Sequence, residues 1–169
     1  MKNPKVKGSE FERFISKQLS LFWSGGKRKD LFWRTHSSGA LHTISRMNNE
    51  AGDIMSINTE SSNFTNQFII ECKFYKNINF NDIIYKTQHS NLKQWILNLF
   101  NLADKENRIP LLIMKQNHKP IIILTNQQGY KLLHKYMDEY TIIDTNDMFL
   151  FICDFNSFLS LDPNLFKSS

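Results

Sequence analysis

The sequence predicts a single α/β domain whose core is a mixed β-sheet flanked by helices. Helical periodicity opens the chain, short apolar runs bounded by turn residues follow, and a second helical pattern separates two groups of those runs. The chain has 169 residues, 41% of them hydrophobic, which is enough for one domain with a core. No apolar run approaches the ~20 residues of a transmembrane helix. Because no secretory signal is visible either, we expect a cytoplasmic protein.

The N-terminal helix is predicted from Ser9, because Ser9 and Glu12 form the S-x-x-E pattern of a capping box. Gly25-Gly26 is expected to end this helix. Apolar residues recur along it at helical spacing and form one apolar stripe: Phe11, Phe14, Ile15, Leu19 and Phe22.

Strands and further helices are predicted after the first helix. Five short apolar segments are typical of strands: 30–34, 52–58, 68–74, 110–114 and 120–124. A helix at 81–106 separates the third strand from the fourth, and polar residues at 59–67 predict a turn between the second and the third. The predicted core covers about 7–125. Residues 126–169 form a predicted C-terminal α/β extension with a helix at 127–140, a strand at 149–153 and a short helical tail.

Positive charge is concentrated in the first part of the chain, although the net charge is only +5. Ten of the 21 Lys and Arg residues lie in residues 1–48, against three of the 16 acids. Such asymmetry favours a polyanionic partner, of which nucleic acid is the commonest. A basic surface that serves only solubility is the alternative.

The third predicted strand carries two charges inside an apolar run. Glu71 and Lys73 are two residues apart and therefore point to the same face of the strand. If the second and third strands form a hairpin, Asp53 can reach Glu71. Two buried carboxylates repel each other unless a proton or a cation intervenes, and Mg²⁺ prefers such oxygen ligands. Metal-assisted phosphodiester hydrolysis needs this set, with a lysine beside the attacking water. A simple Glu71–Lys73 ion pair is the alternative.

These motifs resemble a known family. Gly52-Asp53, Glu71-Cys72-Lys73 and the upstream helical Glu12 look like the PD-(D/E)xK nuclease superfamily. Within it, Lys7-Gly8-Ser9-x-x-Glu12-Arg13 and Arg34-Thr35-His36-Ser37-Ser38-Gly39 are similar to the opening of the archaeal Holliday junction resolvases. The resemblance covers residues 7 to about 125. Two features depart from the pattern: Gly52 replaces the usual proline before the aspartate, and 40–51 looks inserted.

The resemblance implies a restriction-endonuclease-like core with a central mixed five-stranded sheet. It implies catalytic roles for Glu12, Asp53, Glu71 and Lys73. Asp53, Glu71 and the carbonyl of Cys72 would bind Mg²⁺, with Mn²⁺ as a substitute, and Glu12 would support the metal or its water. Family members dimerise and act on DNA, so a homodimer and a DNA substrate are expected.

Ten residues are candidates for DNA contact because of their charge or their place in the matched motifs: Lys7, Arg13, Lys27, Arg28, Lys29, Arg34, Ser37, Ser38, Arg46 and Lys76. Ser37 or Ser38 would lie near the scissile phosphate, by the resemblance. Glu12 has an alternative role, since it could only complete the capping box with Ser9. The abundance of Asn, Lys and Ile is typical of an AT-rich genome, such as that of a phage or another mobile element.

The leading hypothesis is a Mg²⁺-dependent DNA endonuclease similar to the junction resolvases. Three alternatives remain open at this point. The chain could be a restriction- or repair-type nuclease that acts on linear or single-stranded DNA. It could be a DNA-binding module without activity. It could also act on RNA.

Overall fold

The computed structural model describes residues 4–35, 51–84 and 90–167. Six α-helices lie in these ranges: α1 Pro4–Trp23, α2 Ser62–Gln67, α3 Asn81–Ile84, α4 Asn91–Lys105, α5 Gln127–Leu133 and α6 Phe155–Leu159. Seven strands lie between them: β1 Phe32–Arg34, β2 Ile54–Ser56, β3 Phe68–Tyr75, β4 Ile109–Gln116, β5 Ile121–Thr125, β6 Thr141–Thr145 and β7 Met148–Asp154. Short 3₁₀ turns occur at Thr59–Ser61, His134–Tyr136 and Pro163–Phe166.

Helix α1 ends where the sequence predicts but begins earlier. It starts at Pro4, and Ser9 lies inside it with its Oγ donating to the carbonyl of Val6, 3.1 Å away. The predicted capping box is therefore wrong. At the other end, Gly25 and Gly26 adopt φ values of 61° and 85°. Their amides donate to the carbonyls of Phe22 and Leu21, which is the Schellman arrangement that ends a helix.

The mixed five-stranded sheet flanked by helices is confirmed. Its strand order is β3-β4-β5-β7-β6. Strands β3 and β4 are parallel and are joined through α4, as a parallel pair requires. The remaining neighbours are antiparallel.

The membership of the sheet differs from the sequence prediction. Strands β1 and β2 pair with each other in a separate antiparallel sheet, with Phe32 opposite Ser56. Strand β6, which the sequence did not predict, and strand β7 complete the five. The helix predicted at 127–140 is shorter because α5 and its 3₁₀ turn end at Tyr136, which leaves the following residues free to form β6.

Two predicted connections are also wrong. Residues 59–67 form a 3₁₀ turn and α2 rather than a plain turn, so β2 and β3 are not a hairpin. The helix predicted at 81–106 is divided into α3 and α4. Ser90 begins the second of these, since its Oγ accepts a hydrogen bond from the amide of Lys93 at 3.3 Å.

Two apolar cores lie on the two faces of the five-stranded sheet, and β3 contributes to both. Phe68, Ile70 and Cys72 belong to the core that contains α1, whereas Ile69 belongs to the core that contains α4. Alternation along the strand therefore directs Glu71 and Lys73 to the α4 face. In the described ranges, no helix combines the length and the apolar character needed to cross a membrane.

An aromatic cluster joins the elements on the α1 face. Phe64 of α2 is completely buried. Its ring lies 4.8–6.4 Å, between centroids, from six others: Phe22, Trp23, Phe32, Phe68, Phe158 and Phe166. These rings belong to α1, β1, β3 and the C-terminal segment. Phe64 therefore packs α2, the helix between β2 and β3, against both sheets.

We predict that Phe64→Ala lowers the free energy of unfolding by about 3–5 kcal/mol, because it removes a buried ring and leaves a cavity. Urea denaturation of the two proteins measures the difference. Phe14→Ala is the matched control, because Phe14 is 44% exposed and should change stability little. Equal losses in the two variants would contradict the prediction.

Candidate active site

Asp53 is held against the free edge of β3 by two hydrogen bonds. Its amide donates to the carbonyl of Ile70 at 2.7 Å, and its Oδ2 accepts from the amide of Cys72 at 2.8 Å. In the described ranges, β3 is an edge strand of the five-stranded sheet and pairs with β4, and Asp53 bonds to backbone groups on its other side. The predicted approach of Asp53 to Glu71 is thus found, although it does not come from a hairpin.

The residues around Asp53 fix its backbone as well. The amide of Thr35 donates to the carbonyl of Asp53 at 2.8 Å, and the Thr35 hydroxyl donates to the carbonyl of Gly52 at 2.6 Å. Thr35 immediately follows β1, so these bonds tie the two small strands to β3. Thr35 belongs to the motif matched in the sequence, but no role was predicted for it. The residues next to Thr35 in the sequence give no sign that its amide contacts Asp53, eighteen residues later.

Gly52 has a backbone conformation that residues with a side chain rarely adopt, and it has little space for a Cβ. Its φ is 88°, and a Cβ at this position would lie 2.6 Å from the carbonyl oxygen of Ile70. Proline, whose ring fixes φ near −65°, cannot adopt this conformation. The departure from the proline of the resembled family therefore has a local physical reason.

Glu71 and Lys73 form a contact on the α4 face of β3. The ammonium of Lys73 donates to Oε1 of Glu71 and lies 4.0 Å from Oδ2 of Asp53. All three side chains are only partly exposed. The ion pair offered as an alternative reading therefore exists, but it includes Asp53 as a third member.

Glu12 approaches the same group from α1. Its Oε2 lies 3.3 Å from Nε of Arg34, in an ion pair that replaces the role predicted for Glu12 in helix capping. The guanidinium of Arg34, for which DNA contact is predicted, lies beside this candidate catalytic carboxylate. Arg13 is exposed on α1, and its charge also acts on Glu12, more weakly than the charges of Asp53, Arg34 and Lys73.

The electrostatics of the site show that its carboxylates interact. Burial raises the pKa of Glu71, and the charge of Asp53 raises it further, against the opposing effect of Lys73. Burial and the charge of Asp53 also raise the pKa of Glu12. Burial lowers the pKa of Lys73, but the hydrogen bond to Glu71 and the charges of Glu71 and Asp53 together outweigh this, so that the pKa of Lys73 is raised. Lys73 is therefore an ammonium at neutral pH.

The site contains the oxygen ligands that a divalent cation prefers. Among the described residues, three carboxylates (Glu12, Asp53 and Glu71) interact with one another and with the cations Lys73, Arg34 and Arg13. No group of three or more His, Cys, Asp or Glu side chains in this part of the chain is already arranged as a metal site. The set predicted for Mg²⁺ needs only two carboxylates and one backbone carbonyl, with water completing the coordination. These residues fit that requirement.

The carbonyl of Cys72 is on the required side of β3. The carbonyl of Ile70 and the amide of Cys72 both face Asp53. In a strand the amide and carbonyl of one residue point the same way, so the carbonyl of Cys72 also faces this edge. The Cys72 thiol is buried in the core on the α1 face of the sheet, where burial and the nearby carboxylates raise its pKa.

The predicted DNA contacts fall into three groups. Arg13 and Arg34 act on Glu12 through their charges, and Arg34 pairs with it directly. Lys7 donates to Oδ1 of Asn117 at 2.7 Å with its ammonium 3.8 Å from the ring centroid of Phe74, and Lys76 is exposed just after β3. Ser37, Ser38 and Arg46, together with the other residues of 36–50, lie outside the described ranges.

The third group, Lys27, Arg28 and Lys29, lies beyond the opposite end of α1. At 1.5 Å per residue, the last residue of α1 is roughly 17 Å from Glu12 along the helix axis. Arg28 pairs with Asp30 at 3.0 Å and with Glu60 at 2.9 Å. The structure does not bring this segment together with the site, and the charge of Arg28 is already compensated.

Comparison with known proteins supplies the family. The chain matches the model of the family described as phage putative PDDEXK endonuclease, over residues 3–168. The chain belongs to this family. Membership in the PD-(D/E)xK superfamily is thereby confirmed, and with it the assignment as a nuclease. The match to the PDDEXK family also runs through the C-terminal residues that were predicted as an extension. No curated protein and no solved structure matches the chain significantly.

We predict that Gly52→Ala destabilises the fold and displaces Asp53. The left-handed conformation costs about 1–2 kcal/mol for a residue with a Cβ, and contact with the carbonyl of Ile70 adds to this. Urea denaturation measures the loss. Gly8→Ala is the matched control: Gly8 lies in α1 with open space around it, so alanine there should raise stability by about 0.5–1 kcal/mol. A Gly52→Ala protein as stable as wild type would contradict the prediction.

Proposed function

We propose that the chain is a Mg²⁺-dependent DNA endonuclease that hydrolyses phosphodiester bonds at the edge of β3. The observation that supports this most directly is the convergence of Asp53, Glu71 and Lys73, with Glu12 facing them from α1. In the proposed site, Asp53, Glu71 and the carbonyl of Cys72 hold Mg²⁺ or Mn²⁺. The bound ion would activate a water molecule and offset charge on the phosphate.

The chain's own residues have distinct tasks in this proposal. Asp53 holds its carboxylate in a fixed direction because the amide of Cys72 occupies one of its oxygens. Lys73, as an ammonium, orients water and stabilises negative charge on the phosphate. Glu12, which lies on α1 and pairs with Arg34 of β1, would accept hydrogen bonds from water on the α1 side of the site. We expect a 5′-phosphate product, as is usual in the superfamily.

Resolution of Holliday junctions remains a narrower proposal. Its support is the sequence similarity of the α1 opening and of the segment that begins at Arg34. A four-way junction in competition with its own duplex arms tests it directly. Cleavage of junction and arms at equal rates would leave an endonuclease but reject junction specificity. A homodimer, which the same resemblance implies, is tested by light scattering with and without DNA.

We predict that wild-type protein cleaves DNA in Mg²⁺ and that Asp53→Asn and Lys73→Ala each reduce the rate by at least about 100-fold, the usual effect of removing one charge-stabilising group. Junction, nicked, linear and single-stranded DNAs, with a single-stranded RNA for comparison, are incubated with each protein. Asp144→Asn and Lys131→Ala, which change exposed residues on β6 and α5, are the matched controls.

Equal cleavage by wild type and both site variants would reject the assignment of the site. Binding without cleavage by wild type in Mg²⁺ and Mn²⁺ would instead support an inactive DNA-binding module.

We predict that Mg²⁺ or Mn²⁺ raises the melting temperature of the wild type near neutral pH. A ligand at 100 times its Kd stabilises the folded state by about 2.7 kcal/mol, which corresponds to roughly 5–10 °C for a chain of this size. Asp53→Asn should abolish the shift and Asp144→Asn should retain it. An equal shift in both variants would show that the metal binds elsewhere.

The pH dependence of this shift follows from the raised pKa of Glu71. A carboxyl group whose pKa is raised by folding destabilises the fold when it is ionised and ceases to do so as the pH falls through that pKa. The metal relieves the same repulsion and competes with the proton. The melting shift should therefore be largest above the raised pKa of Glu71 and decrease below it.

A further inference from the structure

A cleft opens directly beside the candidate active site on the α4 face of the sheet. Its volume is about 410 Å³, within the range of sites that hold small organic groups. Strand β3 contributes Glu71, Lys73 and Tyr75 to its lining, and α4 contributes Trp95, Asn98 and Leu99. The metal-site candidate Glu71 and the ammonium of Lys73 thus form one end of the cleft.

Two aromatic rings form the other end. The rings of Tyr75 and Trp95 lie 4.4 Å apart between centroids, with 39° between their planes. Trp95 is half-buried and packs against the core on this face, so it holds Tyr75 in place. Tyr75 nevertheless remains 43% exposed. Part of the Tyr75 side chain is therefore accessible to a ligand.

The spacing of the lining residues matches the parts of a nucleotide. Lys73 and Tyr75 are neighbours on the same side of β3, about 6.6 Å apart along the strand. An ammonium suits a phosphate, whereas an exposed aromatic ring suits a planar base. Asn98 adds an amide at the rim, where its Oδ1 accepts a hydrogen bond from Gln94 at 2.7 Å.

We propose that this cleft binds a nucleobase of the cleaved strand, stacked on Tyr75, next to the phosphate at Lys73. The inference rests on the proposed nuclease function, since it assumes that the phosphate at Lys73 belongs to the substrate. A base inside the cleft is separated from its neighbours in the strand. The favoured substrate is therefore single-stranded, or is locally unpaired at the cut, and a continuous duplex binds less well. Stacking on an aromatic ring tolerates any base, so little sequence preference is expected from it.

Binding of fluorescein-labelled oligothymidylate, followed by anisotropy in Ca²⁺ with no Mg²⁺ present, tests the cleft without requiring cleavage. The second ligand is an oligomer of the same length made of abasic nucleotides, which carries the same phosphates but no bases. For wild type, oligothymidylate should bind about tenfold more tightly than the abasic strand, as expected for stacking of one base.

Two variants should each remove the preference for oligothymidylate over the abasic strand, by different means. Tyr75→Ala deletes the stacking surface, and Asn98→Leu fills the mouth of the cleft from an exposed helical position. Each should weaken oligothymidylate binding about tenfold while leaving the abasic strand unchanged. Asn101→Leu is the matched control, because Asn101 is exposed on the same helix and does not line the cleft. It should retain the full preference for oligothymidylate.

Equal binding of the two ligands by wild type would overturn the proposal, and so would an unchanged preference in both cleft variants. This failure is distinct from failure of the nuclease proposal, which is measured by cleavage and by Asp53→Asn. A protein that cleaves DNA but binds both ligands equally keeps its function and loses the base-binding cleft. A base preference that depends on Tyr75 and Asn98 in a protein without cleavage supports the cleft and rejects the nuclease mechanism.

Discussion

The hydrogen bonds between Asp53 and the outer edge of β3 are the constraint on which the site depends. They use the backbone groups that an edge strand leaves without a partner, and they bring a carboxylate from one sheet to the strand that carries Glu71 and Lys73. The approach is so close that the preceding residue has no space for a Cβ and needs a positive φ. An edge that could invite aggregation is thereby covered by the molecule's own candidate site.

The charges of this site work against the stability of the fold. Burial and mutual repulsion raise the pKa values of Glu12 and Glu71, so their ionised forms are unfavourable in the folded chain. Lys73 and Arg34 reduce this cost without removing it. Such an arrangement has little value as a set of surface ion pairs, which contribute little to stability. Its cost agrees with the proposal that these residues form a preorganised site for a cation and a phosphate.

The sequence predicted the carboxylates, the lysine and the strands that are rich in Ile, Leu and Phe, because these patterns are local. It failed where tertiary packing decides. Residues 59–67 look like a turn, yet burial of Phe64 among six rings makes part of them a helix. Strand β6 is largely exposed and has no clear alternation of apolar and polar residues, so the sequence did not predict it. Its pairing with β7 makes it a strand. Ser9 matched a cap pattern, but Pro4 already begins the helix.

Side-chain partners were harder to predict than elements, because charge density along the chain does not specify neighbours in space. Lys27-Arg28-Lys29 is the densest basic run, yet it lies far from the site along α1 and Arg28 is paired. The apolar residues of α4 illustrate the same limit. Leu92, Ile96 and Leu99 are buried, whereas Trp95 at the margin of the stripe faces both the core and Tyr75. Helical spacing places Trp95 on the apolar side of α4. Only the position of β3 opposite α4 makes Trp95 one wall of a cleft.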